Sequence, residues 1–71
     1  MNDYQPRRGD HLVRYGEEIR IFLVTKTRVI FRLYYLEENK GTHHEDRTTF
    51  LAAVQTAQPQ FTLARPTEAT A

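Results

Sequence analysis

From Glu18 to Leu36 the chain reads EIRIFLVTKTRVIFRLYYL. Apolar and polar side chains alternate there with a period of two on either side of a short polar break, and no other feature restricts the fold as much. A stripe at every second residue is the mark of a strand with one buried face, since successive side chains point to opposite sides of a pleated backbone. In the first run Ile19, Ile21 and Leu23 share one face, and Arg20, Phe22 and Val24 share the other. In the second, Val29, Phe31, Leu33 and Tyr35 form the expected core side, and Arg28, Ile30, Arg32, Tyr34 and Leu36 point away. Thr25, Lys26 and Thr27 are few enough to be a hairpin connection.

The flanking segments complete a β-rich order. Gly9 and Asp10 read as a turn into a first strand near HLVRY, which Gly16 and Glu17 separate from the second. After the third strand, ENKG places an asparagine two residues before a glycine, and both residue types tolerate positive φ, so a hairpin turn is expected there. The polar THHEDRTT is then an exposed edge strand or a loop. Asp46, Thr48 or Thr49 can cap a short helix over FLAAVQTA, near residues 49–57, with Phe50, Leu51 and Val54 on one face before Pro59 forbids continuation. QFTLA, with Phe61 and Leu63 alternating, is a closing strand. The expected architecture is mainly β, a strongly bent antiparallel sheet or partly open barrel with one short helix. Residues 1–9 are expected to form a flexible arm, 10–64 one small domain, and 65–71 a disordered tail.

Several chemistries are excluded or disfavoured. The 71 residues include neither cysteine nor serine, so disulfides, thiolate metal sites and the commonest nucleophiles are absent, and a reducing, cytoplasmic setting is expected. Only three glycines occur, with no phosphate-cradling loop. The pairs Glu17-Glu18 and Glu37-Glu38 are adjacent, so on a strand they diverge rather than share a proton. A non-enzyme without a cofactor is therefore expected. His43 and His44 are metal-ligand types beside Glu45 and Asp46, but neighbours on an extended chain diverge, and His11 joins them only if the first and fourth strands are adjacent. No apolar run approaches the length of a membrane span, so neither a membrane partner nor a secretory leader is expected.

Charge is unevenly distributed. Residues 7–32 hold Arg7, Arg8, Arg14, Arg20, Lys26, Arg28 and Arg32 against Asp10, Glu17 and Glu18, while the remainder is slightly acidic and the whole chain carries +1. A basic region steers anionic partners. Arg14, Arg20, Arg28, Arg32, Tyr34, Phe22 and Ile30 are the candidate binding residues. Arginine forks onto phosphate and stacks on bases, and tyrosine offers a flat platform, so one reading is a nucleic-acid-binding sheet face. The same residue types dominate protein interfaces, so an apolar-aromatic anchor for a protein partner, or for a second copy of the chain, stands beside it. Both readings require that the helix does not cover this face.

The layout resembles the small SH3-like barrels, including KOW and Tudor type modules. The likeness rests on the RRGDHLV entry, the long strands EIRIFLV and RVIFRLYYL, and a helical turn placed just before FTL, and it spans residues 8–64. The layout is also similar to that of short prophage-encoded proteins of unassigned role. The resemblance implies a bent antiparallel sheet or partly open barrel, an analogy at the level of fold.

Overall fold

The computed structural model describes residues 3–64. The alternating segment forms strands β2 (Glu17–Val24) and β3 (Arg28–Tyr35), joined antiparallel through Thr25, Lys26 and Thr27. Thr25 closes the turn, since its Oγ1 accepts hydrogen bonds from the backbone N–H of Arg28 (2.9 Å) and of Thr27 (3.3 Å). Strand β1 (His11–Arg14) pairs with β2 through the Tyr15-Gly16 turn, where Gly16 supplies the required positive φ of 75°. Strand β4 (Glu38–Asp46) pairs with β3, helix α1 (Arg47–Thr56) follows, and β5 (Thr62–Ala64) returns beside β1. The five strands among the described residues are antiparallel in one open sheet of order β4-β3-β2-β1-β5.

The helix begins where a capping residue allows it. The Asp46 carboxylate accepts from the N–H groups of Thr48 and Thr49, which satisfies two donors that have no partner inside the helix. Phe50 and Val54 are buried against one side of the sheet, with the Phe50 and Phe31 ring centroids 5.1 Å apart. Leu12, Ile19, Ile21, Val29 and Phe61 complete that core, and Leu12 and Val29 are fully enclosed. Complete burial of such side chains contributes roughly 1.5–3 kcal/mol each, so this helix side of the sheet supplies most of the stability.

Four expectations need correction. First, residues 4–9 are not a loose arm: Tyr4 is buried in the core, and its hydroxyl donates to Asp10 Oδ2 at 2.6 Å. Asp10, fully buried, also accepts from the Arg7 N–H, and Gly9 N–H donates to the Ile21 carbonyl, so this segment extends the pairing of β1 with β2. Residues 65–71, expected to be a tail, lie outside the described residues.

Second, the β3–β4 turn is made by Leu36 and Glu37 (φ 50° and 67°), not by the asparagine-glycine segment. Asn39 and Gly41 instead shape a β-bulge within β4. Asn39 Oδ1 accepts from Gly41 N–H at 2.7 Å, Gly41 has φ 95°, and the β3–β4 register shifts beside them. Third, a bulge in β2 between Ile21 and Leu23 reverses the alternation beyond it, so Val24 packs on the core and Leu23 faces away. Fourth, Tyr35 is half exposed, at the last strand position before the turn, where the covering layer ends.

Candidate binding face

Because α1 and the Tyr4–Asp10 segment pack on the same side, the opposite face of the sheet is uncovered among the described residues. Strand parity determines what it presents. Reading down β2, Glu18, Arg20 and Phe22 point to the open face, joined beyond the bulge by Leu23; on β3 the members are Arg28, Ile30, Arg32 and Tyr34. Six of the seven residues singled out from the sequence, Arg20, Arg28, Arg32, Tyr34, Phe22 and Ile30, are therefore brought together here.

Arg14 is not among them. It lies two residues beyond the buried Leu12 and so points to the helix side, where its Nε donates to Glu17 at 2.6 Å and its Nη1 to the Pro59 carbonyl at 3.2 Å. Its guanidinium lies 4.5 Å from the Phe61 ring centroid. Its role is to close the rim of the core.

The centre of the open face is a cross-strand pair of like charges, Arg20 opposite Arg32. Each guanidinium lies over an aromatic ring: Arg20 at 4.7 Å from the Tyr34 centroid, Arg32 at 5.6 Å from that of Phe22. Glu18 clasps Arg20 through two hydrogen bonds, to Nε at 2.8 Å and to Nη2 at 3.3 Å, and also lies 3.5 Å from His11 Nδ1. This hydrogen bonding by the Glu18 carboxylate is the main reason that the Arg20 guanidinium is held above its ordinary pKa. Arg32 and Arg28 take part in no ion pair among the described residues. Asp46 faces Arg28 across β3 and β4, but its carboxylate serves the helix cap.

Beside the arginine pair, the β2 bulge adds Leu23 to Phe22 and Ile30, and Phe22 and Leu23 remain 44% and 43% exposed. Leu23 is the member of the face that strict alternation assigns to the core. No polar residue among Ile21 to Val24 marks which side each faces, and the bulge exchanges Val24 for Leu23 on the open face.

The histidine pair splits across the sheet. His43 lies on the helix side, its ring 5.6 Å from that of Phe31, and His44 is on the open face opposite Ile30. Strands β2 and β3 separate both from His11, and no three His, Asp or Glu side chains among the described residues are grouped so as to hold a metal ion. No helix among the described residues is long and apolar enough to cross a membrane. Compared with protein-family models, with curated proteins and with solved structures, the chain gives no match.

Proposed function

We propose that this chain is a small non-enzymatic binding protein, an accessory regulator that takes nucleic acid on its open sheet face. One observation carries the reading: Arg20 and Arg32 stand directly opposite each other on an uncovered face. Like charges in directly opposed positions destabilise a sheet, and although a ring lies by each guanidinium and Glu18 pairs with Arg20, Arg32 keeps a charge with no ion pair among the described residues, which an anion placed between the two relieves. Phosphate suits this role, because guanidinium forks match its oxygens and the adjoining rings accept bases. The absence of serine and cysteine supports a binding role and a reducing, cytoplasmic setting. A meander of four strands followed by a helix and a strand returning beside the first supports the likeness to SH3-like barrels, in an open form.

A second reading draws on the bulge. Phe22, Leu23 and Ile30 make a contiguous apolar patch suited to anchoring a protein partner or a second copy of the chain, with the arginines as its rim.

Titration of a labelled oligonucleotide at several salt concentrations tests the choice. With Arg20, Arg28 and Arg32 on phosphates, the logarithm of affinity should fall with the logarithm of salt at a slope of about −2. Absence of binding at low salt, together with sedimentation that depends on protein concentration, rejects the first reading in favour of the second.

A further inference from the structure

Resting on the nucleic-acid reading above, we infer that the bulge patch of Phe22, Leu23 and Ile30 seats one unpaired base, with Phe22 rather than Tyr34 as the stacking platform, so that the ligand is single-stranded. Three observations lead there. The first is that the bulge turns two consecutive apolar side chains outward against Ile30 and leaves both Phe22 and Leu23 more than two-fifths exposed. Burying one of them would have been the ordinary result of unbroken pairing, and bulges are enriched where a strand must re-aim side chains for use.

The second is the state of the two rings. Tyr34 is partly buried, and Arg20, which covers it at 4.7 Å, is tied down by both oxygens of Glu18. Clearing that ring for a base means breaking two charged hydrogen bonds. The guanidinium beside Phe22, that of Arg32, lies farther away at 5.6 Å and has no ion pair among the described residues, so it can swing to a phosphate and leave the 44% exposed Phe22 open to a base.

The third is the placement of charge. Arg28 and Arg32 follow Ile30 on either side along the open face of β3, four residues apart, a separation of about 13 Å at roughly 3.3 Å per residue. Neither is ion-paired among the described residues. Two free guanidiniums bracketing an apolar, aromatic centre fit a strand whose phosphates engage the arginines while the base between them lies on Phe22. A duplex keeps its bases stacked inside and offers no ring to this patch.

Three probes distinguish this inference from the reading on which it rests: a short single-stranded oligonucleotide, the corresponding duplex, and a strand of the same length built of abasic sugar phosphates. The single strand should bind at least tenfold more tightly than either of the others. Phe22→Ala should reduce single-strand affinity about tenfold, within the range known for one lost base stack, with little change in the salt slope. Phe22→Leu, which keeps apolar bulk but lacks a ring, should show most of the same loss and guards against misfolding of the alanine variant. Tyr34→Ala should change affinity less than threefold. Equal binding of all three probes with Phe22→Ala silent, or a larger loss at Tyr34 than at Phe22, overturns the base seat and leaves the arginine-pair reading standing. Failure of every probe to bind overturns both.

Discussion

Arg20 and Arg32 face each other across the middle of β2 and β3, each resting on a different aromatic ring and only Arg20 held by a carboxylate. Arg32 is thus the free half of a like-charge pair. Opposed like charges on a sheet cost a few tenths of a kcal/mol to about 1 kcal/mol, softened by solvent at an exposed site. Arg32→Glu converts the pair to opposite charges, so its thermal midpoint should equal or exceed that of the wild type. A fall of several degrees shows that Arg32 serves the fold.

The core prediction concerns Phe31, which is 6% exposed and packs between Phe50 and the strands. Phe31→Ala should cost about 3–5 kcal/mol, a large part of the stability of a domain this small, and should be seen as loss of the cooperative thermal transition. A variant that melts like the wild type contradicts the placement of Phe31 in the core.

At the β3–β4 turn, Leu36 and Glu37 both occupy left-handed backbone, which favours asparagine and glycine. Leu36→Asn combined with Glu37→Gly should therefore stabilise the chain by about 1 kcal/mol or more, measured by chemical denaturation. Destabilisation instead places the turn at the Asn39 segment.

These corrections show which physical signals reached the sequence. Alternation located β2 and β3, and the joint signal of a capping Asp46, the Phe50 and Val54 spacing and the terminating Pro59 located the helix. Turn chemistry misled at Asn39 and Gly41, because the same positive-φ preference serves a bulge as well as a hairpin, and only strand register separates them. The Arg20, Arg32, Phe22 and Ile30 face was legible from parity. Arg14 was not, since its side depends on Leu12 facing the core, where β5 pairs with β1. Tyr4 was hidden for a similar reason: its hydroxyl meets a buried carboxylate, and no periodic pattern announces such a contact.

Tyr4 supplies the next test. Its hydroxyl donates to the fully buried Asp10, which also holds the Arg7 amide. Tyr4→Phe weakens the hydrogen bonding of a buried carboxylate and should lower stability by about 1–3 kcal/mol, as read from the denaturation midpoint. An unchanged midpoint means that the Tyr4–Asp10 hydrogen bond contributes nothing to the fold.

Binding of nucleic acid to the open face through its arginine pair is tested by the affinity of Arg32→Glu for a single-stranded oligonucleotide, followed across salt concentrations beside wild type. Replacing attraction by repulsion should reduce binding by roughly tenfold or more at low salt, and the salt slope should shrink by about 0.7, the loss of one phosphate contact. Because the folded state is expected to be as stable as before, that loss reports on the interface alone. Wild-type and variant curves that coincide, or a wild type that does not bind at low salt, mean that the arginine pair is not a nucleic-acid site.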